Sequence, residues 1–329
     1  MRETMKAMMY YRYGEPDEVL ELRQVPVPVV GDDEVLVKVH AVAVNPLDWH
    51  LLRGKPYLAR LSQGLRRPKR SIPGNDIAGT VEAVGKAVTE FEVGDQVFGE
   101  SPNGGGLAEY VAVSEDGLVT KPERVTFEQA AALPVAAFTA IQGLRDWGGM
   151  RSGDDVLIIG ASGGVGTYAV QIAKALGASH VTGVCSTRNV ETARSLGADE
   201  VVDYTKADYA DGERTYDLIF DVPGNRRLSV LRALLKPGGK YVVIGGPKGD
   251  WLGPIPRILL MLLGSVTGYM KSGFGVAARS KEDLLLFGEW LETGEITSVI
   301  DRNYKLEEAA EAMAYQGTFH ARGKIVLTL

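Results

Sequence analysis

Cysteine is almost absent from this chain, and several kinds of chemistry go with it. The single thiol, Cys185, can form no disulfide within the chain and can build no cysteine-based metal site, which fits a reducing compartment such as the cytoplasm. Long apolar runs are missing too. The most apolar stretch, 258–263, follows Arg257 and falls far short of the ~20 residues a bilayer-spanning helix needs, so it reads as a buried helix or lid segment. The N-terminus shows no uninterrupted apolar core followed by a cleavage site. Positive charge is not in excess either. With 36 Lys and Arg against 42 Asp and Glu, the formal charge of -6 provides no basic field for nucleic acid or an acidic membrane, and neither is expected as a partner. The expected partner is a small neutral molecule. One local exception, Arg60, Arg66, Arg67, Lys69 and Arg70, could meet an anionic group such as the phosphate of an acyl carrier, but a solvated surface loop is the simpler reading.

What is present is an ordinary globular composition, 45% hydrophobic and 24% charged, with 40 glycines among 329 residues. Single cores stop growing near ~250 residues, so two domains are expected. Strand-like patterns rich in β-branched residues occupy 34–44 (EVLVKVHAVAV), 77–84, 96–98 and 109–113, separated by Gly, Asp and Pro at turn positions. The first helical pattern of length begins near Thr126, a plausible N-cap, which places a boundary at about residue 128. Beyond it, short apolar runs at 156–159, 181–184, 201–202, 218–221, 241–244 and 266–269 take turns with helical segments. That alternation is how a parallel sheet covered on both faces is written, so a doubly wound α/β domain is expected at 129–270. Helical patterns at 281–292 and 306–315 and the strand-like KIVLTL at the C-terminus then return, over 271–329, to the β-rich domain of 1–128. A cleft is expected where the two domains meet.

The run 156–159 leads directly into GASGGVG at 160–166, and then into a helix with Val165, Ala169, Ile172 and Leu176 at helical spacing. Strand, tight glycine turn and helix start are the context a dinucleotide site demands. Gly163 and Gly164 let a pyrophosphate approach the backbone, the helix N-terminus offers unpaired N–H groups, and Gly166 lets helix and strand pack closely. Ala161 stands where the usual pattern has its first glycine. An NADH site normally places a carboxylate at the end of the second strand. Here 185–189 reads Cys-Ser-Thr-Arg-Asn, with no acid before Glu191, so Ser186 and Arg188 favour the 2'-phosphate of NADPH.

Together these stretches resemble the medium-chain dehydrogenase/reductase superfamily, in its zinc-free quinone oxidoreductase and enoyl (alkenal) reductase branch. The resemblance is carried by NPLDW at 45–49, PGNDIAGTVEAVG at 73–85, VGDQVFG at 93–99, GGLAEYV at 105–111, the glycine turn, LKPGGKYVVIGG and ARGKIVL, and it spans nearly the whole chain. It implies a Rossmann domain inserted in a GroES-like catalytic domain, and a homodimer in which a strand near 266–269 pairs across a twofold axis. Zinc alcohol dehydrogenases of the superfamily carry a Cys and a His in the segments matching 44–48 and 74–76, where this chain reads VNPLD and GND. No metal is therefore expected, and hydride addition to a quinone or an α,β-unsaturated carbonyl is the chemistry implied. The alternatives are an NAD(P)-dependent alcohol dehydrogenase and a non-catalytic NADPH-binding protein. By the same resemblance, Asn45 and Thr139 contact the nicotinamide end, and Gly163, Gly164, Val165 and Gly166 hold the pyrophosphate. Ser186, Arg188 and Tyr204 surround the 2'-phosphate, with a half-buried core aromatic as the other reading of Tyr204. Gly245, Gly246 and the region of Lys324 close over the cofactor. Asp48, Tyr57 and His50 are the candidate proton donors beside Asn45, bulk water being the alternative, and Trp49, Trp251 and Phe274 are candidate pocket aromatics.

Overall fold

Glu34–Val44 shows how the β-rich part of the chain is organised. Its near-continuous apolar pattern is explained by three partners: it pairs antiparallel with Asp76–Val84, Tyr110–Ser114 and the C-terminal strand Lys324–Thr328. A strand flanked and covered in this way buries both faces, and Val35, Val37, Val39, Val42 and Val44 all enter the core beside Ile77, Val97, Ile325 and Leu327. Each such side chain contributes roughly 1.5–3 kcal/mol relative to exposure. The computed structural model describes residues 3–246, 253 and 255–329, and Trp251 lies outside them. The chain forms two compact units, Met1–Ala136 with Arg279–Leu329, and Ala137–Ala278; both junctions lie further along the chain than residues 128 and 270.

The first unit holds a seven-stranded sheet in the order Ile300–Lys305, Lys324–Thr328, Glu34–Val44, Asp76–Val84, Gln96–Glu100 and Leu118–Thr120, with Tyr110–Ser114 paired onto Glu34–Val44. Thr126 caps the helix Phe127–Ala131 by accepting a hydrogen bond from the Gln129 N–H, the Gln129 side chain answering in a reciprocal capping box.

In the second unit six strands run parallel in the order Glu200–Asp203, His180–Cys185, Asp155–Ile159, Tyr216–Asp221, Leu235–Val243 and Lys271–Gly273. This is the doubly wound arrangement, with the chain reversing its direction of travel at Asp155–Ile159. The helix Gly164–Ala175 follows that strand and buries Ala169, Val170, Ile172 and Ala173.

Two expectations change here. Residues 266–269 are not a strand: helix Ile255–Val266 runs into them, the Thr267 N–H and hydroxyl both donate to the Leu263 carbonyl, and Gly268 at φ 70° ends the element. The β-branched Val266 and Thr267 were the misleading signal, and the edge strand is Lys271–Gly273. Nor is 258–263 buried. It is helical, but only Met261 is enclosed, while Leu259, Leu260, Leu262 and Leu263 are exposed. Among the described residues no helix is long and apolar enough to cross a membrane.

Candidate active site

The glycine turn presents its backbone as a ligand cradle. The Gly160 and Ala161 N–H groups both reach the Val184 carbonyl at 3.0 Å, tying the turn to the neighbouring strand. The first helical bond runs from the Thr167 N–H to the Gly163 carbonyl at 2.9 Å. The amides of Gly164, Val165 and Gly166 precede it, and such first-turn donors are satisfied from outside the helix. The two glycines at the ends of this stretch do different work. A Cβ on Gly163 would meet nothing nearer than the Gly160 carbonyl at 3.7 Å, so the space beside its backbone is open. On Gly166 it would lie 2.0 Å from that same oxygen, so this glycine is required for helix and strand to close. A pyrophosphate fits the open side, where positive dipole potential and N–H donors converge.

Around the end of His180–Cys185, Asn189 donates to the Ser186 hydroxyl at 3.1 Å and to the Ser162 hydroxyl at 3.0 Å, which links the glycine turn to the second strand. Arg188 is exposed and makes no ion pair among the described residues; Tyr204 is 56% exposed, so it is not a core aromatic. An acid that the sequence spacing did not reveal comes into this region. Asp203, at the end of the adjacent parallel strand, accepts the Thr187 hydroxyl at 2.6 Å, and that bond, with those from Thr205, holds its carboxyl down at about 2. Lys206 stands 3.5 Å away. The second strand thus lacks a terminal acid, but its neighbour lends one; only strand pairing could have shown this. Burial pushes the Cys185 thiol up to about 11, so it is an inert apolar group.

Thr139 is half-buried on the helix Pro134–Gln142. At the far ends of the strands, the Gly245 N–H donates to the Val222 carbonyl at 3.0 Å, and Gly246 follows it. Next to them lies a buried network the sequence did not announce. Asp221 is wholly enclosed at the end of its strand, accepts the Tyr241 hydroxyl and the Gly224 N–H at 2.9 Å each, and stands 3.6 Å from the Arg257 guanidinium. Arg257 also donates to the Tyr241 oxygen and the Arg226 carbonyl.

The first unit gathers a second polar group, buried in its sheet. Asn45 caps the helix Pro46–Arg53, and its backbone N–H donates to Asp48 at 2.8 Å. The other Asp48 oxygen accepts the Gly74 N–H at 3.1 Å, so this carboxylate ties the segment 45–48 to 73–75. Burial pushes Asp48 up to about 6, the two backbone donors opposing that rise and the Asp76 charge adding to it. The Asn45 amide donates to Asp76 at 2.9 Å, and the ammonium of Lys324, from the C-terminal strand, binds the Asn45 oxygen at 2.6 Å and Asp76 at 3.3 Å. All three are nearly inaccessible. The segments in which zinc alcohol dehydrogenases carry Cys and His therefore do meet, but the charge balancing Asp76 comes from an ammonium. Among the described residues no group of three or more His, Cys, Asp or Glu could hold a metal ion.

Tyr57 is half-buried in a turn, with the Arg60 guanidinium 4.8 Å and the Lys55 ammonium 5.7 Å from its ring centre. The His50 Nδ1 lies 3.0 Å from the Lys55 carbonyl, and burial holds its pKa below the usual imidazole value. Trp49 packs edge-on against His50 and Phe319 and carries Arg53 over its face, while Phe274 is 40% exposed in the other unit.

Comparison with known proteins places these observations in a family. The "Alcohol dehydrogenase GroES-like domain" model matches residues 31–123, and the "Zinc-binding dehydrogenase" model matches 196–327. The chloroplast envelope quinone oxidoreductase homolog of Arabidopsis thaliana is 35% identical over 99% of this chain and 98% of its own length. The NADPH-dependent alkenal/one oxidoreductase of the same plant is 36% identical over 99% of this chain and 80% of its own. Among solved structures, the quinone oxidoreductase of Coxiella burnetii superposes with a TM-score of 0.85 at 30% identity, over 99% of each chain.

Proposed function

This chain belongs to the medium-chain dehydrogenase/reductase superfamily, in its quinone oxidoreductase and alkenal reductase branch, and from that premise we propose that it passes hydride from NADPH to a quinone or an α,β-unsaturated carbonyl. The observation that carries the reading is the open backbone beside Gly163 at the head of the twelve-residue helix Gly164–Ala175, opposite a Gly166 that admits no side chain. When bound, the reduced nicotinamide supplies the hydride.

The roles of the chain's own residues follow. Gly163, Gly164, Val165 and Gly166 hold the pyrophosphate through backbone N–H groups. Arg188 and Ser186 take the 2'-phosphate, and the unpaired guanidinium of Arg188 favours it. Asp203 opposes that choice, with Lys206 and two threonine hydroxyls partly offsetting its charge. Tyr204, Gly245 and Gly246 complete the nucleotide's surroundings. In the first unit Asn45 orients the nicotinamide end, its own amide locked by Asp76 and Lys324. Thr139 assists from the start of the second unit. Asp48, whose two oxygens each receive a backbone donor, acts as a positioning residue. The acceptor carbon takes the hydride, the electron pair moves onto the conjugated oxygen, and the proton that completes the reduction comes from Tyr57. We also propose a homodimer, now without the 266–269 strand.

Steady-state turnover with a panel of quinones, 2-alkenals, enones and secondary alcohols, run with NADPH and with NADH, tests this. Reduction of a quinone or enone with NADPH preferred is expected, and Arg188→Asp should lower kcat/KM for NADPH about tenfold or more while leaving that for NADH nearly unchanged. Tyr57→Phe should slow turnover without weakening NADPH binding. Tight NADPH binding with no turnover on any acceptor, or metal-dependent alcohol oxidation, would overturn the reading.

A further inference from the structure

Between Asp48 and Asp76 the chain has no acidic residue, yet it carries seven Lys and Arg: Arg53, Lys55, Arg60, Arg66, Arg67, Lys69 and Arg70. In a protein of net charge -6 that is a local reversal of sign. The structure divides these cations into two sets. Arg60 points inward: it stacks on Tyr13 at 4.3 Å and donates to the Gly54 carbonyl at 2.9 Å, while the Tyr13 hydroxyl donates to the Gly64 carbonyl at 2.6 Å. The Lys69 N–H closes the far side of the loop onto the Gln63 carbonyl at 2.9 Å. Arg66, Arg67 and Lys69, in contrast, are exposed and make no ion pair among the described residues.

The same loop carries Leu58, Leu61 and Leu65, 45%, 68% and 67% exposed. Leu58 and Leu61, three residues apart, lie on the turn Tyr57–Ala59 and the helix Arg60–Gln63, while Leu65 follows Gly64, whose φ of 114° takes the chain out of the helix. An anchored loop thus holds three leucines exposed to water and, at its far end, three exposed cations without ion-pair partners among the described residues. A solvated loop has no use for the leucines, and a nucleic acid has no use for them either, since its backbone is read by charge. Apolar side chains that enter an acyl boundary, flanked by cations that meet phosphate headgroups, are the two components of interfacial membrane binding.

We propose that the loop 57–70 is a docking surface for an anionic lipid bilayer, which the protein touches peripherally through Leu58, Leu61 and Leu65 with Arg66, Arg67 and Lys69 on the headgroups. The expectation of no membrane partner rested on the net charge and on taking this basic stretch for a solvated loop, a reading that its exposed leucines do not fit. Lipophilic quinones and alkenals partition into such a bilayer, so docking would bring the enzyme to its acceptor; the binding itself does not depend on that activity.

The test is flotation of the full-length protein with vesicles of phosphatidylcholine alone or with about one third phosphatidylglycerol, at low and high salt. Binding to the anionic vesicles only, weakened by salt, is expected. Reversing Arg66, Arg67 and Lys69 to Glu should lower the partition coefficient about a hundredfold or more, at roughly fivefold per cation removed. Leu61→Ser with Leu65→Ser should lower it at least tenfold at unchanged charge, which diffuse electrostatic attraction would not predict. Unchanged circular dichroism and melting of the variants show that folding is intact. No binding to anionic vesicles, binding that ignores both sets of substitutions, or retention on duplex DNA in place of vesicles would overturn the proposal.

Discussion

Glu100 shows how far a single side chain can be moved from its solution behaviour. Burial pushes its carboxyl up to about 7 from an ordinary 4.5, with the Asp76 charge adding to the rise and the Asn75 hydrogen bond opposing it. A carboxyl raised in the folded state contributes most to stability when protonated, below its unfolded value, and that contribution is lost as pH rises through about 7. Glu100→Gln should therefore raise the thermal midpoint at pH ~8 and leave it nearly unchanged at pH ~5, by the linkage between proton binding and folding. Equal effects at both values would contradict the assignment of the cost to charge. The residue was not singled out by any motif, because its environment is made by Asn75 and Asp76 on the neighbouring strand. Asp48 was visible in NPLDW, but its two backbone partners, the Asn45 and Gly74 N–H groups, were not.

At the level of elements, the glycine turn separates binding from folding. Gly163→Ala adds a methyl into open space, so it should leave urea unfolding almost unchanged while weakening NADPH binding tenfold or more, a result calorimetry can read directly. Gly166→Ala forces a Cβ against the Gly160 carbonyl and should cost about 1–3 kcal/mol of stability, as overpacking does. If the first variant unfolds as readily as the second, the open side is not a ligand site. The succession of strand, glycine turn and helix was legible in the sequence, because the three follow one another within a few residues and their spacing is a local property. The strand expected at 266–269 failed for the opposite reason: β-branched residues there lie at the end of a leucine-rich helix whose hydrogen bonds override their preference.

On the scale of the whole molecule, Asn45, Asp76 and Lys324 join the beginning, middle and end of the first unit in one buried contact. Lys324→Met should leave Asp76 buried without its counter-charge and cost about 3–5 kcal/mol, whereas adding Asp76→Asn should restore a large part of that. Denaturant titration of the three variants measures it, and additive losses would show that the pair is not coupled.

The sequence by itself determined the class of fold, the alternation of strands and helices through most of the second unit, the strand–glycine turn–helix succession and the presence of a single cysteine, since these depend on residue type and on periods of two and 3.6 along a few neighbours. The tertiary structure alone decided what meets across long separations: an ammonium from residue 324 against a carboxylate from residue 76, Asp203 brought against Thr187 by a parallel neighbour, and the leucines of the loop 57–70 left in water. Pairing between distant strands carries no fixed spacing in the chain, so no local pattern records it.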